Sequence, residues 1–228
     1  GPRVERLAAS ASDVGDAHGA REVRVGAEPV LDEALVSDGV MLRREFPLPA
    51  GGLEGLELVG YPESGVWVFR AASLWLAVRC GSIGQCGAGG HDHNDQLGIE
   101  LWLGGRPAIV DPGTYAYTHL PSRRDEYRSV AAHDVPRVDR REPALLTHGL
   151  FQLQGARPGV CLYFGPRGFV GVHDAHGIKV VRAIELTPDA VAVIDSDLQD
   201  PPEVIVDMIA RWRGPISASD SPMPSRLR

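Results

Sequence analysis

The sequence has few cysteines, no long hydrophobic run and no excess of positive charge, and each shortage excludes a class of protein. Its three cysteines, Cys80, Cys86 and Cys161, are too few for a disulfide-scaffolded domain. No run of about 18 consecutive apolar residues occurs, so a membrane-spanning helix is not expected. Among 228 residues, 30 are acidic and 23 basic, and the formal net charge of −7 argues against a nucleic-acid partner.

Lysine is almost absent: 22 of the basic side chains are arginine and one is Lys179. Such a skew is typical of a GC-rich genome, so a single arginine is weak support for a binding site. The hydrophobic share of 43% and the charged share of 23% are those of an ordinary globular protein. The cysteines are predicted to be free thiols, with a Cys80–Cys86 disulfide as the alternative.

Short runs of β-forming residues, separated by glycine, proline and aspartate, indicate an all-β protein. A Gly104-Gly105 pair between two such runs predicts a tight hairpin, because both residues can adopt positive φ. No long segment has a helical period, although residues 31–36 are predicted to form a short helix. We therefore expect an antiparallel β-sandwich. The predicted strand runs are 66–69, 74–78, 97–103, 107–110, 160–164, 169–172, 178–186, 190–194 and 204–209.

Composition divides the chain into three predicted parts. Residues 1–20, rich in alanine, serine and aspartate, are predicted to be loose, and residues 214–228 to be a frayed tail. Residues 21–213 are predicted to be the sandwich domain. The sequence begins with Gly-Pro, without methionine and without a secretory signal, so we expect a fragment of a longer protein.

Four of the eight histidines, His91, His93, His119 and His133, lie in one short window. In an extended segment residues i and i+2 point the same way, so His91 and His93 would face one site. The predicted hairpin brings Asp111 back towards His93. Two histidines and an aspartate suit zinc, with a fourth position open to water or substrate. On spacing alone, the alternative is a chance His-x-His pair beside an ordinary Asp-Pro-Gly turn.

A cupin, which also carries a His-x-His pair, needs a glutamate soon after the second histidine, whereas here the first is Glu100, seven positions after His93. Four motifs follow one another in the window instead: HDHNDQL at 91–97, GGRP at 104–107, VDPGTY at 110–115 and YRSVAAH at 127–133. In this order they resemble the heparinase II/III family of polysaccharide lyases. The close resemblance covers about fifty residues, from 91 to 139.

The resemblance implies that this chain is the C-terminal β-sandwich of a two-part enzyme. The missing partner would be an N-terminal α/α toroid, and an acidic polysaccharide would lie between the two parts. The implied reaction is β-elimination at uronic-acid residues, in the periplasm or outside a bacterial cell. The implied zinc ligands are His93, Asp111 and His133, and the implied catalytic residue is His91. The family's main catalytic tyrosine and its asparagine or histidine lie on the toroid, so activity of the isolated domain stays open.

Six arginines between residues 121 and 141 give that segment a local net charge of +2. Because guanidinium groups bind carboxylates in a two-pronged fashion, Arg128 is predicted to contact substrate. Tyr117 and Tyr127 are predicted to contact the sugar. The alternatives are a solvated loop for the arginines and ordinary packing for the tyrosines. The six arginines are Arg123, Arg124, Arg128, Arg137, Arg140 and Arg141.

Other aromatic and histidine side chains are assigned to the core or the surface. Trp67, Trp75 and Trp102 alternate with apolar residues and are predicted to be core, while His148, His173 and His176 are predicted to lie at the surface.

The leading functional prediction is a zinc-containing polysaccharide lyase domain, in which zinc has a structural role. The main alternative is a non-catalytic carbohydrate-binding or assembly module in bacterial exopolysaccharide handling. A metal-dependent hydrolase is a third possibility.

Overall fold

The computed structural model describes residues 4–5, 31–32, 41–139, 141–147, 149–175 and 177–198. Several predicted features lie outside these ranges. They are the loose front except residues 4–5, the predicted helix except residues 31–32, the strand at 204–209 and the tail, together with Arg140, His148 and His176. The strands are β1 (Val4–Glu5), β2 (Leu31–Asp32), β3 (Met41–Pro47), β4 (Glu57–Tyr61), β5 (Val66–Arg70), β6 (Leu74–Arg79), β7 (Ile99–Leu103), β8 (Arg106–Ile109), β9 (Arg137–Val138), β10 (Val160–Gly165), β11 (Gly168–Ala175), β12 (Ile178–Leu186) and β13 (Ala190–Leu198). One α-helix, α1 (Pro121–Arg128), lies among them in the described residues.

Two antiparallel sheets pack face to face, which confirms the predicted all-β sandwich. One has the strand order β4-β5-β6-β7-β8 and the other β10-β11-β12-β13-β3-β2, while β1 and β9 form a separate pair. Phe69, Leu76 and Leu101 from the first sheet share one buried core with Phe169 and Ile184 from the second. Side chains alternate between the faces of a strand, so every second residue of β6 is buried.

The tight hairpin forms as predicted between β7 and β8. Gly104 and Gly105 have φ values of 55° and 74°, which glycine adopts without the steric cost of a Cβ atom. The hairpin returns the chain from β7 to Asp111, at the sheet end from which residues 91–98 enter β7.

Two predictions of local structure are wrong. Leu31 and Asp32 are extended and pair with Arg44 and Arg43, so long-range strand pairing overrides a helix there. His173 lies on β11 and is 5% exposed, because it sits within a hairpin paired along its whole length with β12.

Only one of the three tryptophans predicted to be core packs against it. Trp67 packs on Phe164 and Phe169, with ring centroids 5.1 and 6.4 Å away. Trp75 and Trp102 are paired across β6 and β7 on the opposite face of the sheet. The inward positions of these strands are taken by leucine, valine and isoleucine, so the alternation turns both indoles outward.

A buried ionic network joins the six-stranded sheet to the loops beyond the hairpin. Arg182 is 0% exposed and donates to both carboxylate oxygens of Asp195, at 2.7 and 2.9 Å. It also donates to the carbonyls of Leu97 and Asp134, at 2.7 and 2.6 Å. The Asp134 carboxylate accepts a further bond from Arg44 at 2.8 Å. Two loop segments, one beside His93 and one beside His133, are thereby attached to the sheet.

Candidate active site

The predicted site residues gather at the end of the five-stranded sheet opposite the Gly104-Gly105 turn. The segment entering β7 is irregular rather than a strand, and side-chain hydrogen bonds hold it in place. The Gln96 amide accepts from the Gly81 N–H at 3.1 Å and donates to the Gly81 carbonyl at 3.0 Å. Asp92 accepts from the Gly84 N–H at 2.5 Å. Both contacts fasten the glycine-rich loop 81–90 beside the histidines.

His91 lies at the surface and hydrogen-bonds the hydroxyl of Tyr117, with 3.0 Å between Nδ1 and Oη. The two rings are nearly parallel, at an interplanar angle of 23°. Phe151 contacts both rings, with centroids 6.1 Å from His91 and 5.0 Å from Tyr117. An imidazole and a phenol are thus held together where both reach solvent.

Arg124 packs against two rings of the cluster formed by His91, Tyr117 and Phe151. Its guanidinium carbon lies 4.9 Å from the ring centroid of Tyr117 and 4.7 Å from that of Phe151. The side chain is buried and donates through Nε to the Leu150 carbonyl at 2.9 Å. A cation under two ring faces is an attractive contact, so Arg124 helps to hold Tyr117 in position.

The three predicted zinc ligands also come together. Asp111 Oδ2 is 2.6 Å from His133 Nδ1, and the ring centroids of His93 and His133 are 5.3 Å apart. His93 Nε2 also forms a hydrogen bond with Thr114 Oγ1, at 3.0 Å. His91 and His93 therefore belong to two adjacent clusters, one with Tyr117 and one with Asp111 and His133.

Burial and charge set the protonation of the second cluster. Burial, and then the positive charge of protonated His133, lower the pKa of His93 to about 4. Burial also disfavours charge on His133, but the hydrogen bond and charge of Asp111 outweigh it and raise the His133 pKa. The same bond outweighs burial at Asp111 and lowers the pKa of its carboxyl. Neutral His93 and ionised Asp111 are the forms that bind metals.

These three side chains fit a metal ion in part. His133 Nε2 is buried and has no hydrogen-bond partner, and a bound ion would satisfy a nitrogen of this kind. As placed, however, no three His, Cys, Asp or Glu side chains in the described ranges are grouped closely enough to hold an ion. The residue types and the orphaned nitrogen fit zinc, and zinc binding stays a prediction.

Arg128 does not occupy the predicted place in a substrate cleft. It is 0% exposed and donates to the backbone carbonyls of Gly149, Leu150 and Gln152, at 3.2, 2.8 and 3.3 Å, and to Asp125 at 2.9 Å. Residues i and i+4 share a helix face, so Arg124 and Arg128 both turn inward from α1. The role predicted for Arg128 is therefore corrected to holding the loop that carries Phe151.

Arg123 lies on the other side of α1 and is partly exposed. Its guanidinium lies 5.7 Å from the ring centroid of Tyr115 and 6.0 Å from that of Tyr127, and it pairs with Glu126. Tyr127, predicted to contact sugar, stacks on Tyr115 at 5.0 Å. Tyr115 has a positive φ of 54°, a strained conformation of the kind concentrated at functional sites. A partly exposed cation thus lies against two tyrosine rings.

The buried Asn94 and the partly buried Glu142 join the segments of the site and were not singled out from the sequence. Asn94 Nδ2 donates to Glu142 Oε2 at 2.6 Å and to the Ala144 carbonyl at 2.9 Å. Glu142 also accepts from Ser129 and from the Val130 N–H. Asn94 lies within the histidine motif and could have been identified from it. Nothing near Glu142 or Phe151 in the sequence marks either of them as a site residue.

One protein-family model, described as heparinase II/III-like, C-terminal, matches residues 54–196, more than half of the chain. The chain belongs to the heparinase II/III-like family. The matched region of this heparinase-like domain extends from the turn before β4 into β13 and contains every predicted site residue. Membership confirms the resemblance and supports a role related to polysaccharide lyases, with a polysaccharide as substrate.

Comparison of the heparinase-like domain with curated proteins gave no match, and comparison with solved structures gave none either. Within the described residues, no helix has the length and apolar character needed to cross a bilayer.

Proposed function

We propose that this heparinase-like domain is the sandwich part of a lyase that cleaves uronic-acid-containing polysaccharide by β-elimination. The observation that carries the proposal is the solvent-facing His91–Tyr117 pair in a chain of this family. The reaction needs removal of the C5 proton, protonation of the departing O4 and neutralisation of the substrate carboxylate. Histidine can take or give a proton near neutral pH, and a positioned acid or base contributes about 10²- to 10⁴-fold.

In this proposal His91 gives a proton to the departing O4, while the base expected on the toroid takes the C5 proton. Tyr117 shares a hydrogen bond with His91 and orients it. Arg124 and Phe151 hold the tyrosine ring, so the Nδ1–Oη contact is preorganised before substrate binds. Arg123, held against Tyr115 and Tyr127, supplies a partly exposed positive charge for the uronate carboxylate. The main base expected on the toroid completes the reaction.

We further propose zinc as the resident metal, held by His93, Asp111 and His133. The support is the donor chemistry and the unpartnered His133 Nε2. Bound zinc would supply a cross-link among the segments carrying these residues, and the proton-transfer step belongs to His91. Because Thr114 hydrogen-bonds His93, the bound metal would keep the loop that carries Thr114 and Tyr115 in place.

The lyase proposal is tested with the longest natural protein that contains this sequence. It is incubated with alginate, heparan sulfate, hyaluronan and pectate, and the unsaturated uronate product is followed by ultraviolet absorbance. His91→Ala is expected to lower the rate by about 10²-fold or more, and Tyr117→Phe by less. His119→Ala is the matched control, since His119 is an exposed histidine two residues from Tyr117. Absence of a double-bond product on every uronate polymer would contradict the proposal.

Zinc is tested by elemental analysis after dialysis against metal-free buffer. We expect about one zinc per chain, lost in His93→Ala and His133→Ala and kept in His119→Ala. A metal content that is unchanged in both ligand variants would reject this site.

The exposed tyrosines favour a second candidate, a glycan-binding module without catalysis. Tyr115 and Tyr117 are 59% and 48% exposed beside the histidine clusters, as sugar-stacking rings would be. Polysaccharide binding that survives His91→Ala, with no unsaturated product from the full-length protein, would identify this function. The compartment, periplasmic or extracellular, remains a prediction.

A further inference from the structure

A cleft of about 480 Å³ lies on the outer face of the five-stranded sheet, beside two of its hairpin turns. Trp75 and Trp102 line it together with Glu100, Ser73 and Gly105. Its volume is within the range of about 300–1,000 Å³ of small-molecule sites. The proposed lyase chemistry uses none of these residues.

The cleft lies on a row of side chains that crosses the whole sheet. Register pairs Glu57 with Arg70, Arg70 with Trp75, Trp75 with Trp102, and Trp102 with Pro107. Neighbouring strands are about 4.8 Å apart, so the row runs for roughly 19 Å from β4 to β8. Two indoles and a proline ring are flanked on one side by an arginine and a glutamate.

The two tryptophans are not accounted for by packing of the sandwich. Leu76 and Leu101 fill the inward positions next to them, and both indoles remain partly exposed on the outer face. Glu100 Oε1 accepts a hydrogen bond from Trp102 Nε1 at 3.0 Å, which fixes the orientation of that ring. A carboxylate has further acceptor positions beyond the one used here.

We propose that this cleft binds pyranose units of a glycan chain. The apolar C–H faces of a sugar ring pack on indole, and sugar hydroxyls donate to the Glu100 carboxylate and bond with the Ser73 hydroxyl. The carboxylate repels uronate, so the cleft selects uncharged sugar units. This inference rests on the proposed function in one respect, that the partner of the protein is a polysaccharide.

The cleft is separate from the histidine clusters. It lies at the turn end of the β7–β8 hairpin, whereas His93 and Asp111 lie at its open end. The five residues of β7 span roughly 16 Å, so one bound sugar cannot occupy both places. The cleft would hold a neutral stretch of polymer while acidic units are cleaved at the other end of the sheet.

The experiment records the indole N–H signals of Trp75 and Trp102 in ¹H–¹⁵N spectra of the full chain, assigned with Trp75→Phe and Trp102→Phe. The ligands are six-unit oligosaccharides of cellulose, chitin, mannan and starch type, and of alginate and hyaluronan. We expect at least one neutral oligosaccharide to shift both signals. Trp75→Ala and Trp102→Ala should each weaken its binding about tenfold, as loss of one stacked ring implies.

Two control variants distinguish binding in the cleft from binding by another exposed ring and from lyase activity. Tyr61→Ala removes an exposed aromatic ring from the same sheet face, near the other end of the strands, and should leave binding unchanged. His91→Ala should also leave cleft binding unchanged, while the tryptophan variants should still form unsaturated product from short acidic oligosaccharides. A loss of lyase activity can therefore be distinguished from a loss of binding in the cleft. Thermal unfolding shows whether each variant is folded.

Three results would overturn the proposal. No shift of either indole signal by any oligosaccharide excludes a glycan site, as does binding that persists in both alanine variants. If the alanine variants instead release another domain of the full-length protein, and glycan has no effect, the cleft is a protein-docking surface.

Discussion

Replacing Arg182 by methionine is expected to destabilise the protein more than any surface substitution. The guanidinium lies fully inside the sandwich and makes four hydrogen bonds, two to Asp195 and one each to the carbonyls of Leu97 and Asp134. It also lies 3.1 Å from the Asp134 carboxylate. Methionine fills similar space but removes a positive charge that the Asp195 and Asp134 carboxylates share.

The magnitude follows from breaking a buried ion pair. Removing one partner costs about 3–5 kcal/mol, because the carboxylate that remains has lost the charge that compensated its desolvation. For a protein of this size, each kcal/mol lowers Tm by about 2–4 °C, which gives a fall of roughly 6–20 °C. The change is measured by urea unfolding and by thermal unfolding of the full chain.

Arg43→Met is the matched control. Arg43 lies on β3 in the same sheet, but its partners Glu45 and Glu185 are partly exposed, at 2.5 and 3.6 Å. Exposed pairs contribute about 0–1 kcal/mol, so this variant should be close to wild type. The double variant Arg182→Met/Asp195→Leu should lose less than the two single losses added together, since both remove one interaction. A loss below about 1 kcal/mol for Arg182→Met would show that this buried ion pair does not stabilise the sandwich as expected.

Three further predictions concern other parts of the fold. Asn94→Ala should cost about 1–3 kcal/mol in urea unfolding, because the partly buried Glu142 carboxylate and the buried Ala144 carbonyl lose their donor, and a loss within error would contradict the described network. Gly168→Ala should unfold far more readily than Gly104→Ala: both have positive φ, but a Cβ at 168 would lie 1.7 Å from the Ile184 carbonyl oxygen, whereas nothing lies within 4 Å at 104. Burial raises the pKa of Cys80 to about 12 and that of Cys161 to about 11, so iodoacetamide at neutral pH should label exposed Cys86 alone; labelling of all three in the native protein would contradict this.

Local sequence patterns predicted the strands and the hairpin because their signals are short-range. Glycine at 104 and 105 permits the turn, and alternation along β6 and β7 distinguishes two faces of the sheet. The ordered motifs from residue 91 to 133 were sufficient to predict the family, which the comparison confirmed. The hairpin predicted that Asp111 would return towards His93, and the family resemblance implied that His133 would join them; the ring of His133 lies beside both.

Several site features could not be predicted, since each depends on distant parts of the chain. Alternation does not reveal which face of β6 and β7 meets the second sheet, so Trp75 and Trp102 were assigned to the core although they face outward. Phe151 joins the His91–Tyr117 pair from a loop without any motif. Residues 31–32 form a strand only because β3 is available to pair with them.

Turn residues, strand alternation and ordered motifs are local properties, so they were sufficient to predict the fold class, the family and the segment that carries the candidate site. The roles of the arginines depend instead on packing. Nothing in the sequence distinguishes Arg123 from Arg128, yet the first is partly exposed and lies against two tyrosine rings, whereas the second is fully buried among carbonyls. That difference arises because α1 packs one face against the loop at 149–152, and burial replaces the water around a guanidinium with fixed carbonyl acceptors. Whether an arginine meets substrate or supports the fold is therefore a property of packing.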